Sequence, residues 1–468
     1  MTTLVMKFGG SAVGTVAALT QVLSIVLHEV KHWDRLFIVA SALDGVTDML
    51  LEAAHLAQVA NQRGYRRIAA TLRTRHLALA DQLPLAAQER NALHADIDRL
   101  LFEMLDECQN VANTPSESLS PEISDRIIGV GEKLAARIIA ALLRNNDLRG
   151  VAFDGTDVIV TNNIFGNATP LFEPTRERIE NNVLPMLERD IVPVLTGFIG
   201  ATIEGKPTTM GRGGSDYTAS VLAVCVNADQ VWVWSDVDGM MTTDPREIAS
   251  AVAIDEMTYN EVAELAYFGA RILHARMVKP LQEYQIPLFI KNVFSPQRTG
   301  TRIQVASKTK SNRIMAVTTI PGIILTANRS GSIAKLVQLI DTVLLETIGD
   351  DADVMISSQS ATRTFICFIV PIHAGGIESV ATIRQNLELS IEALHDTVRW
   401  QLDDVTIVTA IGESLSNHIG LQTSILQQLD DVKVLGFTQG ASQCSLSVII
   451  NPDDAPLVVE KIHALIIQ

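Results

Sequence analysis

The sequence predicts an α/β protein: a domain with a mainly parallel central sheet and a helical insertion, followed by two ferredoxin-like α+β modules. Three observations predict it. Apolar runs of strand length alternate with helical periodicity through the first 300 residues. A stretch rich in Ala, Leu, Arg and Glu occupies 48–112. The remainder of the chain carries an internal repeat.

The first element is TLVMKF (3–8), an apolar run of strand length, and LFIVASA (36–42) is a second. Between them Leu19, Val22, Leu23, Val26, Leu27 and Val30 recur at helical spacing, so 15–31 reads as a helix and the three pieces as a βαβ unit. Residues 48–112 read as the helical insertion and 124–144 as one further apolar helix. Strands are expected at 150–154, 157–161, 191–197, 230–235 and 286–291, and helices at 171–189, 215–227 and 259–283. PQRTGTRI (296–303) carries turn chemistry and KTKSN (308–312) is polar. The expected domains are therefore 1–305, 316–395 and 400–468, with room for the C-terminal segment to pack back on the first module. Within the last two, SSQSATRTFICFIVP (357–371) resembles FTQGASQCSLSVIINP (437–452), and IILTA (323–327) resembles TIVTA (406–410). Each unit reads strand, helix, strand, turn, strand, helix, the pattern of small ligand-sensing modules.

Composition narrows the class. Of 468 residues 47% are hydrophobic and 19% charged, a globular balance, and the formal net charge of −16 disfavours nucleic-acid and anionic-membrane partners. No apolar stretch is long enough to span a bilayer, and the chain enters a strand at once, so neither a membrane nor a secretory role is expected. Cys108, Cys225, Cys367 and Cys444 form no C-x-x-C pair and read as reduced cytosolic thiols.

Five pieces could carry chemistry. Lys7-Phe8-Gly9-Gly10-Ser11 ends the first strand; glycines let backbone N–H groups approach a phosphate, and a lysine supplies a point charge. Gly211-Arg212-Gly213-Gly214-Ser215-Asp216 opens a helix, with Ser215 as a suitable N-cap and Arg212 able to grip a carboxylate or phosphate bidentately. Ser235-Asp236 ends the apolar strand VWVWS and leads into a polar turn. Ser41–Asp48 follows the second strand and offers hydroxyls to a small polar substrate. Gly131-Glu132 puts a carboxylate on an apolar helix. Taken singly, each also reads as a turn, a cap or a surface group, the Lys7–Ser11 piece more often so and the 211–216 piece less.

Together they form a set that resembles the aspartate kinases of the amino-acid kinase family. K-F-G-G-[ST] stands at 7–11, S-A-x-x-G-x-T-[DN] at 41–48, G-E at 131–132, G-R-G-G-S-D at 211–216 and [ST]-D-V-x-G-x-x-T-x-D-P-R at 235–246. E-L-A-x-F-G-A-[KR]-x-L-H runs from Glu264 to His274, and K-N-x-F-x-P-x-x-x-G-T from Lys291 to Thr301. The C-terminal duplication resembles paired ACT modules. The resemblance implies ATP-dependent phosphorylation of the L-aspartate side-chain carboxylate, with Mg²⁺ accompanying the nucleotide.

It further implies catalytic roles for Lys7 and Asp216, with Gly9, Gly10 and Ser11 supporting the phosphates. Ser41, Thr47, Glu132, Arg212, Gly213, Gly214 and Ser215 would bind aspartate. Ser235, Asp236, Met241, Arg246, Arg271 and Ile272 would line the nucleotide. Ser330, Gly331, Gln359, Arg363, Gln439 and Gly440 would hold an amino-acid effector, and no protein-held metal is expected. A cytoplasmic homodimer or higher homo-oligomer is implied. Departures from the family pattern are Ala12, Met241 and Arg271, which bear on nucleotide affinity. Another carries the cation Arg363 where an acid is frequent, which predicts a weak response to lysine. Another carboxylate kinase of the superfamily, or a non-catalytic amino-acid sensor, remain the alternatives.

Overall fold

A computed structural model describes residues 1–114, 119–269, 273, 275–305, 313–328, 332–348, 352–370, 377–393 and 398–467. The chain falls into two compact units. The first holds 1–240, 255–257 and 273–305; the second holds 241–254, 258–272 and 306–468. The segments 241–254 and 258–272, read from sequence as part of domain 1–305, thus group with the C-terminal unit.

The first unit is built on ten strands: β1 (Thr3–Phe8), β2 (Arg35–Ala40), β3 (Arg149–Phe153), β4 (Ile191–Thr196), β5 (Ile199–Ala201), β6 (Pro207–Thr209), β7 (Gln230–Ser235), β8 (Glu256–Thr258, whose last residue belongs to the second unit), β9 (Leu288–Asn292) and β10 (Thr301–Gln304). Eight of them form one sheet in the order β3-β4-β2-β1-β7-β9-β10-β8, and β5 pairs with β6. β1 runs parallel to both neighbours, with Phe8 opposite Ala40 on one side and Trp234 on the other. All six of its residues are buried, as a central parallel strand requires. Ala40 in turn lies opposite Thr196 of parallel β4. The carboxyl ends of β1, β2, β4 and β7 therefore meet at one edge, where ligands of open α/β sheets bind.

The insertion is three helices, Val46–Gln58, Gln62–Gln82 and Ala87–Asn113, whose apolar faces join the core beneath β1 and β2. Four expectations need correction: 171–189 holds two helices, Phe172–Asn182 and Leu184–Leu187, and 259–283 holds two, Tyr259–Tyr267 and Ala275–Glu283. The stretch 124–144 is two helices, Pro121–Ile128 and Val130–Arg144, parted at Gly129. A Cβ at Gly129 would stand 2.8 Å from Ile199 Cγ2, so packing admits only glycine at the break. The run 157–161 is no strand: Gly155–Val158 is a short helix, and Val160 and Thr161 make only isolated bridges.

The second unit contains a six-stranded sheet of β11 (Ala316–Ala327), β12 (Val354–Gln359), β13 (Thr364–Ile369), β14 (Gln401–Ile411), β15 (Gly436–Gln439) and β16 (Ser445–Ile450). Its order is β12-β13-β11-β14-β16-β15. Each repeat contributes three adjacent strands and two helices, and the two join through the antiparallel pair β11–β14. This is the duplicated strand–helix pattern read from the sequence. Segment 241–254 is tied in by the Thr242 carbonyl accepting from Val317 N–H at 2.8 Å and by Thr242 Oγ1 meeting His463 Nε2 at 2.8 Å, and Phe268 by its carbonyl accepting from Thr318 Oγ1 at 3.2 Å. Among the described residues no helix is long and apolar enough to cross a membrane.

Candidate active site

At the shared strand edge lies a cavity of ≈ 670 Å³. Lys7, Ser41, Thr47, Glu132, Arg212, Gly213, Gly214, Ser215 and Asp216 all line it. They arrive from one strand, two loops and three helix N-termini, so only the folded sheet assembles them.

Lys7 is the penultimate residue of β1, and its Nζ lies 2.5 Å from Asp216 Oδ1; both side chains are nearly buried. This is a charge pair rather than a directed hydrogen bond, since Asp216 Oδ1 accepts none among the described residues. Asp216 sits in the first turn of the helix Gly214–Cys225, where the positive end of the helix dipole favours an anion. The N-cap of that helix is Gly213 at φ +68°, not Ser215, which is its second residue. Gly211 shares the left-handed conformation at φ +68°, so Arg212 stands between two residues that only glycine fills without strain. Arg212 is exposed and makes no ion pair among the described residues.

Gly10 is the second point of close approach: a Cβ there would lie 2.9 Å from the Ala42 carbonyl oxygen. The glycine loop is thereby pressed against the loop 41–45. Gly9 N–H donates to the Trp234 carbonyl at 3.0 Å, and Ser11 Oγ donates to Asp236 Oδ1 at 3.0 Å. These bonds join the ends of β1 and β7.

Glu132 lies in the first turn of the helix Val130–Arg144 and is 3% exposed. Its Oε1 accepts from Ala42 N–H at 3.2 Å, while Oε2 is buried with no hydrogen-bond partner. Burial pushes its carboxyl up to about 8, against the opposing pull of the Ala42 N–H and Lys7. An orphaned carboxylate oxygen in a cavity wall is a group waiting for a cation. With the unpaired guanidinium of Arg212 on the same cavity, the wall offers one partner for an ammonium and one for a carboxylate, the two ends of an α-amino acid.

Sequence reasoning missed Asp125. It is 2% exposed and lines the cavity beside Glu132. Its Oδ2 accepts from Gly166 N–H at 2.8 Å and Thr209 N–H at 2.9 Å, and its Oδ1 from Thr209 Oγ1 at 2.6 Å. Burial raises its pKa and these three bonds oppose the rise. A Cβ on Gly211 would lie 3.1 Å from the Gly166 carbonyl, so Asp125 fixes the ground on which the Arg212 loop rests. A buried acid seven residues before Glu132 and followed by Arg126 carries no sequence signal of this kind.

The profile of the amino acid kinase family matches residues 2–292. The chain belongs to the amino acid kinase family.

Along its whole length this amino acid kinase is similar to lysine-sensitive aspartokinase 3 of Escherichia coli K12, 29% identical over 466 residues that cover 98% of each chain. Two solved structures are similar to it at 27% identity. Aspartokinase III of E. coli in complex with aspartate and ADP (R-state) has a TM-score of 0.79, covering 99% of this chain and 100% of that one. The same enzyme in complex with lysine and aspartate (T-state) has a TM-score of 0.81, covering 99% of each.

The remaining residues singled out by sequence fall elsewhere. Met241 and Arg246 belong to the second unit; Met241 bridges Ala253, and exposed Arg246 pairs with Asp244 at 2.6 Å. Ser235 closes β7. Gln359 ends β12 and Arg363 follows the turn, where Ser360 Oγ accepts from Arg363 N–H at 3.0 Å; both are exposed. Gln439 ends β15 and donates to Gln422 Oε1 at 3.0 Å. Gly440 N–H donates to the Ser445 carbonyl at 3.0 Å. Arg271, Ile272, Ser330 and Gly331 lie outside the described residues.

Proposed function

We propose that the chain acts as an aspartate kinase, transferring the γ-phosphoryl group of ATP to the side-chain carboxylate of L-aspartate to give 4-phospho-L-aspartate and ADP. The observation that carries this reading is the cavity that joins the Lys7–Asp216 pair to the orphaned Glu132 oxygen and the free Arg212 guanidinium. The full-length likeness to aspartokinase 3 supports it. The acceptor carboxylate is already ionised near neutral pH, so no covalent nucleophile is needed; positioning and charge neutralisation do the work.

In this reading Lys7 steadies charge on the transferring phosphoryl, and Asp216 holds Lys7 at the strand end. Glu132 receives the substrate ammonium, Arg212 clamps a carboxylate, and Ser41, Thr47 and Ser215 offer hydroxyls. Gly9, Gly10 and Ser11 bring backbone groups to the phosphates; the space a Cβ at Gly10 would fill suits so close an approach. Mg²⁺ carried with the nucleotide would neutralise phosphate charge, and the carboxylates of Asp216 and Asp236 are the hard oxygen donors that suit it. Ser235, Met241, Arg246, Arg271 and Ile272 are proposed for the nucleotide. The catalytic domain expected at 1–305 is then the unit of 1–240, 255–257 and 273–305, and 316–395 and 400–468 are the paired ACT modules. These modules hold an amino-acid effector through Ser330, Gly331, Gln359, Arg363, Gln439 and Gly440, in a cytoplasmic homo-oligomer.

The test is ATP consumption with and without L-aspartate, with hydroxylamine present to trap the acyl phosphate as a hydroxamate. Aspartate-dependent ADP and hydroxamate in equal amounts are expected. ATP turnover that ignores aspartate, or trapping with another acid alone, overturns the assignment.

A further inference from the structure

The expectation that no protein side chains hold a metal passed over His28-Glu29-Val30-Lys31-His32, which has the H-E-x-x-H spacing. These residues close the helix Val16–Glu29, at the end of the first unit where β2 begins, away from the cavity. Among the described residues this is the one group in which three possible ligands converge: each brings a ligand atom to within 4.8 Å of the other two. The two imidazole rings stand 4.5 Å apart between centroids.

We propose that His28, Glu29 and His32 form a surface site for a divalent transition metal of the zinc type. The local hydrogen bonds set each group for it. His32 Nδ1 meets the His28 carbonyl oxygen at 2.8 Å, a bond it makes only by donating. The neutral ring therefore keeps its proton on Nδ1 and leaves the Nε2 lone pair free. His28 Nδ1 donates to Glu29 Oε1 at 3.0 Å, with the same consequence for that ring. Trp33 Nε1 donates to Glu29 Oε2 at 3.1 Å, which fixes the direction of the carboxylate.

The backbone holds the turn that brings His32 under His28. Val30 N–H donates to the Val26 carbonyl at 3.0 Å, and His32 N–H to the Glu29 carbonyl at 2.9 Å. The site lies at the negative end of the helix dipole, on a chain of net charge −16, both favourable to a cation. Lys31 beside it and Lys291, whose charge is felt at Glu29, oppose this. Lys291 is drawn aside over the Trp232 ring, 4.9 Å from its centroid.

Two imidazoles and a carboxylate form the donor set of three-ligand zinc sites with an open position. Ligand atoms around such an ion stand about 3.3 Å apart, so side-chain rotation within one turn closes the set. In peptidases with this spacing the glutamate is a free general base; here Glu29 is itself the third ligand, so the site binds and does not hydrolyse.

The test titrates the chelator-stripped full chain with Zn²⁺ alone, by calorimetry and thermal denaturation. One ion per chain is expected, with a rise in Tm by linkage. Glu29→Gln should weaken binding by at least ~10-fold, the scale of a lost supporting carboxylate. His28→Ala/His32→Ala should abolish it while aspartate-dependent turnover persists. Equal affinity in the double variant, no effect of Glu29→Gln, or no binding to the wild type overturns the proposal.

Discussion

Lys7 and Asp216, from the end of β1 and the first turn of the helix Gly214–Cys225, form a charge pair with 2.5 Å between Nζ and Oδ1. The ammonium is thus held by a carboxylate that itself sits on a helix dipole. Lys7→Ala is expected to lower kcat by ~10²-fold or more, the scale of a lost charge-stabilising donor. Asp216→Asn keeps the shape and frees the ammonium, so it should cost less than Lys7→Ala. Steady-state kinetics with circular dichroism as a fold control checks both, and near-normal kcat in Lys7→Ala contradicts the role.

Glu132 gives a pH signature. With its carboxyl at about 8, the empty site is protonated near neutrality, and taking up an ammonium must expel that proton. Apparent aspartate affinity should therefore rise with pH up to about 8, by about tenfold per unit at most, and level off above. Calorimetry in buffers of different ionisation enthalpy should register proton release on aspartate binding. The stability sign is opposite: the raised carboxyl stabilises the fold relative to the ionised form below the ordinary carboxylate range, and that contribution is lost as pH climbs through about 8. Glu132→Gln should flatten both dependences.

Asp125 predicts a split between stability and binding. Asp125→Ala takes the acceptor from the Gly166 N–H and strands the buried N–H of Thr209, and should cost ~2–4 kcal/mol. Asp125→Asn retains the shape and should cost less. In both, KM for aspartate should rise more than kcat falls, because the Arg212 loop loses its footing while Lys7 does not. An unchanged KM for aspartate in a folded Asp125→Asn protein would count against the positioning role.

The proposed regulation turns on Arg363, exposed on the turn after β12. A guanidinium placed where an effector's ammonium would lie repels it. Lysine should inhibit weakly or not at all, and Arg363→Glu should increase any sensitivity. A lysine titration of wild type and variant decides this; strong micromolar inhibition of the wild type would refute it.

The parallel sheet and the cavity wall were legible in sequence for a physical reason. Central strands such as β1 are apolar along their whole length, and the glycines at 10, 211 and 213 occupy positions that a Cβ would clash with or strain. What escaped has no local pattern. β5, β6, β8 and β10 span only three or four residues, too short for periodicity to register. The need for glycine at 129 depends on a remote isoleucine, and the tie from Thr242 to His463 on a residue more than two hundred positions away. Asp125 looks like any solvated acid until Thr209 is folded onto it.

The depth of β1 has a consequence for how such a pocket can be altered. Lys7 is rooted in a strand with hydrogen-bonded neighbours on both sides, a segment that opens only when the domain does. Arg212 stands on an exposed loop between two left-handed glycines. In the proposed roles, the group that steadies the phosphoryl is thus inherited from the scaffold, while the guanidinium that clamps the acceptor's carboxylate is an appendage. Exchanging the appendage for another loop would change which acid is admitted and leave the transfer chemistry untouched.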